Sequence, residues 1–307
     1  MERLRIGLIG WGTVGAALGE LVRTGPLPLT LATVVVRDTA RARPRALPSD
    51  VRLGTADEAL DADVVVELAG GLDGPLQWAR AALERGTPYV TANKALLATH
   101  GGELAELAQR KGAALLGSAS VGGGTPMIET VEHLAATGAI ERLRGLVNAT
   151  TTFILSAMGD GRSYHDALRE AQEAGYAEAD PSFDVEGRDA AQKLAILASV
   201  AWGRWRPEAD VETAGIVGVA VTPGHPVRLV AEASRERMTV SPKPMEPADA
   251  LARASGVESV LEVTLADAGT VRVSGPGAGG RAAAGAVYAD LARLAAGERP
   301  ILFGRAQ

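Results

Sequence analysis

At 307 residues the chain has room for one large domain or two ordinary ones, and an apolar fraction of 47% is ample for buried cores. A net charge of -6 argues against bulk nucleic-acid binding, and no apolar run reaches the roughly 18 residues of a membrane span. Cysteine is absent, which excludes disulfides, thiolate metal sites and any covalent thioester on the protein. The N-terminus shows no secretory pattern and leads into a buried strand over 4–10, so the expected location is the cytoplasm. A glycine turn and an apolar helix over about 13–23 follow, then β-rich runs at 29–36 and 62–68, the latter ending in Ala69-Gly-Gly71. Helix over 75–85, strand over 88–91, helix over 102–111 and strand over 113–117 complete an alternating series. Such alternation implies α/β architecture, a Rossmann-type parallel sheet with helices on both faces.

The alternation stops near Ser118-Ala-Ser-Val-Gly-Gly-Gly124. Beyond it, strands at 143–148, 257–265 and 270–274 mix with helices at 163–174 and 186–201, which reads as a smaller α+β domain. Gly275-Pro-Gly-Ala-Gly-Gly280 precedes a helix of about 282–296. The expected division is 1–130 for a dinucleotide-binding domain, with 282–307 packing back onto it, and 131–281 for the second domain. Residues 41–48 and 222–226 read as loops.

Gly10-Trp-Gly-Thr-Val-Gly15 is a GxGxxG pattern between a strand and a helix. Gly10 allows the tight turn, Gly12 lets backbone approach a pyrophosphate, and Gly15 permits close helix–strand packing. Thr13 and Val14 open the helix whose N-terminus attracts the phosphate charge. The pattern alone is common; the flanking strand and helix give it the required context. The residue closing the second strand is Arg37, followed by Asp38, with Arg41, Arg43 and Arg45 nearby. An arginine there can pair with a 2′-phosphate, which favours NADP, while Asp38 keeps NAD open. An exposed arginine on a basic loop fits the same residues nearly as well.

Only four lysines occur among 31 basic residues, at Lys94, Lys111, Lys193 and Lys243, so a lysine here is worth weighing for its titratable amine. Thr91-Ala-Asn-Lys94 follows a strand of the predicted parallel sheet, where ligands bind outside the carboxyl ends, so Lys94 is expected to face the cofactor cleft as a cofactor-binding residue. The bland alternative is a solvated lysine at a helix start, although the helix dipole disfavours a cation there. Lys193 follows Asp189 by one helical turn beside apolar Leu194, Ile196 and Leu197, which suits holding a carboxylate or exchanging a proton. An ordinary surface pair worth about 0.3–0.5 kcal/mol has the same spacing. Glu178, Asp180, Asp184 and Glu186 crowd the preceding loop around Pro181. Some of these are turn and capping residues; Glu178 and Asp184 are the better candidates for gripping an ammonium group. The four histidines show no metal spacing. Together the features point to redox chemistry on a small amino acid.

With these residues assembled, the chain resembles homoserine dehydrogenase in its short form, without a C-terminal regulatory domain. The resemblance covers nearly the whole chain. It is carried by the glycine motif, Thr91-Ala-Asn-Lys-Ala-Leu-Leu97, Ala119-Ser-Val-Gly-Gly-Gly-Thr-Pro126, Asn148-Ala-Thr-Thr-Thr-Phe-Ile-Leu155, residues 175–198, and residues 275–280. It implies NAD(P)-dependent interconversion of L-homoserine and L-aspartate 4-semialdehyde. It assigns Lys94 and Lys193 to substrate binding and proton transfer, Glu178 to substrate binding and Asp189 to supporting Lys193. Gly277 and Gly279 are expected near the nicotinamide, in a second domain that binds substrate and pairs two subunits into a homodimer. Two departures stand out. Ser118 occupies a position where the family usually has a glutamate that helps hold a monovalent cation, leaving the carbonyls of Val121, Gly123 and Thr125 as ligands. Asn148-Ala-Thr-Thr-Thr replaces the usual Asn-Gly-Thr-Thr-Asn, for which modest local change is expected. The competing readings are another NAD(P)-dependent reductase of amino-acid metabolism and a non-catalytic nucleotide-binding sensor.

Overall fold

The computed structural model describes residues 3–38, 46–49, 51–277 and 279–304, so Arg41, Arg43 and Arg45 lie outside the described residues. The chain forms two compact units, one of Met1–Gly124 with Gly279–Gln307 and the other of Thr125–Ala278.

The first unit alternates β1 (Leu4–Ile9), α1 (Thr13–Thr24), β2 (Leu29–Val35), α2 (Ala56–Ala59), β3 (Val64–Glu67), α3 (Asp73–Glu84), β4 (Tyr89–Thr91), α4 (Lys94–Lys111) and β5 (Leu115–Leu116). The strands form one parallel sheet in the order β2-β1-β3-β4-β5. Ile6, Leu8, Val64, Val66 and Val90 from the strands pack with Leu18 and Val22 of α1 into the main core. Strands buried on both faces read as continuous apolar runs, which is why the sequence reveals them. Strand order reverses at β1 and β3, and ligands of such sheets bind outside the carboxyl ends at that reversal. The C-terminal helix, Gly280–Ala295, lies against α1 and adds Val287, Leu291 and Leu294 to the same core.

The largest departure from the sequence reading in this unit is α4, which begins at Lys94 rather than near residue 102. Asn93 caps it, its side-chain oxygen accepting the N–H of Leu96 at 3.1 Å. Gly101 and Gly102 discouraged a helical reading across this stretch, yet Gly101 is buried inside the helix, where tertiary packing overrides propensity.

The second unit contains α5 (Met127–Thr137), β6 (Ile140–Leu146), α6 (Ala149–Gly159), α7 (Tyr164–Glu173), α8 (Ser182–Val185), α9 (Arg188–Trp202), β7 (Val211–Thr213), β8 (Val227–Ala233), β9 (Met238–Pro244), β10 (Glu258–Leu265) and β11 (Gly269–Pro276). These precede the C-terminal helix, α10. The sheet order is β11-β10-β6-β8-β9-β7, antiparallel except for the β7–β9 pair. Helix α9 is almost wholly buried and packs on α5, β8 and β9. Gly203, at φ 60°, closes it, and Trp202 Nε1 donates to the Ile140 carbonyl at 3.0 Å, fixing its end to β6. Sequence reading missed α5, α6, α8 and β7–β9. Helix α6 carries a threonine run and is buried nearly all round, so it shows neither helical propensity nor a polar face.

Candidate active site

In the first unit the site is made mostly of backbone. Gly10 has φ +108°, and a Cβ there would lie 2.7 Å from the Leu68 carbonyl group. A Cβ on Gly15 would lie 2.2 Å from the Gly10 carbonyl oxygen. Both positions therefore demand glycine for fit. Gly12 is different: it precedes α1 at φ -89°, and a Cβ there would meet nothing within 4 Å. That open ground at the N-terminus of a 12-residue helix, beside Thr13 and Val14, is the cradle a dinucleotide diphosphate fits. Arg37 and Asp38 are exposed just beyond β2.

Lys94 is the first residue of α4 and is half-buried, immediately after the Asn93 cap. Thr91 and Asn93 are buried at the carboxyl end of β4, beside Glu67 at the end of β3. Thr91 Oγ1 donates to Glu67 Oε2 at 2.8 Å. Sequence reading assigned no role to Glu67, Thr91 or Asn93; the signal for Asn93 was its place one residue before a helix, which was obscured by Gly101 and Gly102.

In the second unit the site is made of side chains. Lys193 Nζ lies 2.7 Å from Asp189 Oδ2 and donates to the Val147 carbonyl at 2.8 Å. The lysine side chain is 14% exposed and its aspartate 7%, so this is not the solvated i,i+4 pair that the spacing also allowed. Asn148 binds the cluster together. Its Nδ2 donates to Asp184 Oδ1 at 2.6 Å and to Asp189 Oδ2 at 2.8 Å, while its Oδ1 accepts the N–H of Thr151 at 2.8 Å as the cap of α6. Burial raises the Asp184 carboxyl above the ordinary aspartate range, partly offset by the hydrogen bond from Asn148, and the neighbouring Asp189 charge raises it further. Asp184, Asp189 and Lys193 are thus brought together, joined by an asparagine whose part the sequence did not reveal.

The other acids of the loop separate from this cluster. Asp180 accepts the N–H of Ser182 at 3.0 Å, a turn contact that holds its carboxyl below the ordinary aspartate range, and Glu186 is exposed at the end of α8. Glu178 is exposed, and its carbonyl accepts Gln172 Nε2 at 3.1 Å. In the glycine-rich stretch, Gly277 donates to the Val257 carbonyl at 3.1 Å, and a Cβ there would lie 2.1 Å from Ser259 Oγ. Gly279 precedes α10 at φ +141°. Ser118 is buried, giving its N–H to Asp290 Oδ2 at 3.1 Å and its hydroxyl to Asp290 Oδ1 at 2.6 Å. Val121 and Thr125 are buried, and Gly123 is left-handed at φ 63°. Among the described residues no group of three or more His, Cys, Asp or Glu could hold a metal ion.

A family model described as homoserine dehydrogenase matches residues 126–292, and one described as its NAD binding domain matches residues 10–117. The chain belongs to the homoserine dehydrogenase family. Homoserine dehydrogenase of Bacillus subtilis (strain 168) is 33% identical over 314 residues, covering 95% of this chain and 72% of the relative. That of Corynebacterium glutamicum is 36% identical over 319 residues, covering 93% and 70%. Among solved structures, a homoserine dehydrogenase from Thiobacillus denitrificans superposes with a TM-score of 0.90 at 33% identity, over 96% of this chain and 74% of that one. A hyperthermophilic archaeal homoserine dehydrogenase in complex with NADPH gives 0.86 at 28% identity, over 97% and 99%. The chain is accordingly an NAD(P)-dependent oxidoreductase with homoserine dehydrogenase function. Among the described residues no helix is long and apolar enough to cross a membrane.

Proposed function

We propose that homoserine dehydrogenase chemistry in this chain is carried by Lys193, held between the Asp189 carboxylate and the Val147 carbonyl. That arrangement is the observation on which the reading rests. When bound, the nicotinamide cofactor supplies or accepts the hydride at the carbon that is aldehyde on one side of the reaction and alcohol on the other. In the reducing direction Lys193 donates a proton from Nζ to the forming alkoxide; in oxidation it takes that proton from the substrate hydroxyl. Asp189 fixes the amine by ion pair, and Asn148 holds Asp189 and Asp184 in register. Asp184 and Glu178 take the substrate ammonium. Lys94 serves as the second amine of substrate binding and proton transfer, at the end of the strand where cofactor is expected.

Gly10, Gly12, Thr13, Val14 and Gly15 hold the diphosphate, with Gly277 and Gly279 near the nicotinamide. Arg37 favours NADP over NAD by pairing with the 2′-phosphate; a strong preference for NAD+ in measured KM values would defeat that part. The monovalent-cation reading rests on the carbonyls of Val121, Gly123 and Thr125. Ser118 brings no charge and is engaged with Asp290, so we assign the cation no step in the reaction. Clear activation by Na+ or K+ would show that the carbonyls suffice. We further propose a cytoplasmic homodimer, which sedimentation of the purified protein tests. The decisive assay is reduced-nicotinamide absorbance with homoserine and NADP+ or NAD+ at alkaline pH. Homoserine should be oxidised far faster than other amino acids; equal or greater activity on another amino acid would favour a different reductase.

A further inference from the structure

The carboxyl end of β3 carries a carboxylate for which the reaction has no chemical use. Glu67 is fully buried, and both its oxygens are committed. Oε1 accepts the N–H groups of Ala69 at 2.7 Å and Gly70 at 2.9 Å, and Oε2 accepts the Thr91 hydroxyl at 2.8 Å. The Thr91 hydroxyl oxygen in turn accepts the N–H of Asn93 at 2.9 Å, and Asn93 Nδ2 donates to the Gly71 carbonyl at 2.7 Å. The bonds close a ring running from the end of β3 to the end of β4, to the cap of α4, to the glycine loop and back. An ionised carboxylate suits the centre of such a ring because it accepts several donors and has no hydrogen of its own to place. Burying it without those donors would be costly.

The ring joins two loops with different work. The Leu68–Ala69 backbone lies directly against Gly10, where a Cβ would come within 2.7 Å of Leu68 and 2.8 Å of the Ala69 nitrogen. The loop that Glu67 ties down is therefore the wall of the dinucleotide turn. The other branch ends on Asn93, the cap of the helix whose first residue is Lys94. We propose that Glu67 is a positioning residue that holds the cofactor turn and Lys94 in one register, an inference that rests on the reading of Lys94 as an active-site amine. Thr91 is the link to the Lys94 side alone.

The test compares Glu67→Gln, Thr91→Val and Lys94→Met in the full chain, by turnover with homoserine and by calorimetric titration with NADPH. Glu67→Gln should weaken NADPH binding and lower kcat, each about tenfold, because the amide keeps one acceptor where the carboxylate offers two and its NH2 group sets a donor against the other branch of the ring. Thr91→Val should lower kcat by a similar factor while leaving the NADPH Kd within about twofold, and Thr91→Ser, which keeps the hydroxyl, should restore turnover. Glu67→Gln with both constants within twofold of the parent overturns the inference, as does a Thr91→Val protein that loses NADPH affinity as much as turnover. Should Glu67→Gln not fold, Thr91→Val decides: a kcat loss reversed by serine supports the inference, and parental turnover overturns it. A Lys94→Met enzyme with parental kcat defeats the reading of Lys94 itself. A slow Lys94→Met enzyme beside a normal Glu67→Gln enzyme defeats only the part given to Glu67.

Discussion

The two units carry candidate functional residues of different kinds. The first uses backbone: glycines that leave room at the start of α1, and loop amides at the carboxyl ends of β1, β3 and β4. The second uses side chains: an amine, two carboxylates and an asparagine packed into one hydrogen-bonded cluster. A backbone site is specified by where side chains must be missing, so a spacing pattern reveals it. A side-chain cluster is specified by three-dimensional neighbourhood, and only its i,i+4 part shows in the sequence. In the proposed reading the glycine turn and the side-chain cluster also have different work, with Lys94 the amine proposed in the first unit. Backbone amides recognise a phosphate by geometry, whereas an amine and its carboxylates can move a proton.

The sharpest way to break this division is Lys193→Ala, for which kcat should fall by about 10²–10⁴, the usual contribution of a general acid or base. Turnover near that of the parent, followed as NADPH formation from homoserine, would refute the assignment. Next is Asn148→Ala. It removes the amide shared by Asp184 and Asp189 and the cap of α6, so kcat/KM for homoserine should fall about tenfold or more while stability drops by about 1 kcal/mol in urea unfolding. An unchanged kcat/KM would make the asparagine a helix cap and nothing else.

The backbone unit is sharpened by a pair of glycine replacements. Gly10→Ala forces a positive-φ residue against Leu68 and should cost about 1–3 kcal/mol of stability or prevent folding. Gly12→Ala meets no protein atom and keeps a permitted φ, so Tm should hold while the KM for NADP+ rises several-fold. Equal thermal losses in the two variants would erase the distinction between a packing glycine and a ligand glycine.

The smallest effect concerns Asp184. Burial raises its folded-state pKa above the ordinary 3.8, so in the window between the two values the folded chain holds a proton that the unfolded chain has released. Stability therefore falls as pH rises through that window, and the ionised carboxylate carries its full penalty above it. Asp184→Asn should raise Tm at neutral pH, lose that gain at strongly acid pH, and weaken homoserine binding. A neutral-pH Tm below that of the parent would show that the Asn148 bond outweighs desolvation.

Legibility followed the same division. The parallel sheet and the glycine turn followed from apolar runs and spacing, whereas periodicity alone gives no placement for the last helix. The start of α4 did not, because two internal glycines masked a helix that Asn93 had already capped. Helix α6 was hidden by three β-branched residues in a largely buried segment, and with it went the part played by Asn148. Asp189 and Lys193 were visible as a spacing, yet only burial distinguishes them from an ordinary surface pair. Glu67 looked like one more residue of the strand over 62–68, and its donors come from the loop just after it and from Thr91, 24 residues on.

The most direct test of the division of labour is a calorimetric titration of Lys193→Ala with NADPH. That division gives a Kd within about twofold of the parent, because no group of the side-chain cluster is assigned to the dinucleotide and a twofold change is well under the 1.4 kcal/mol of a tenfold one. Loss of NADPH binding in that variant would contradict it.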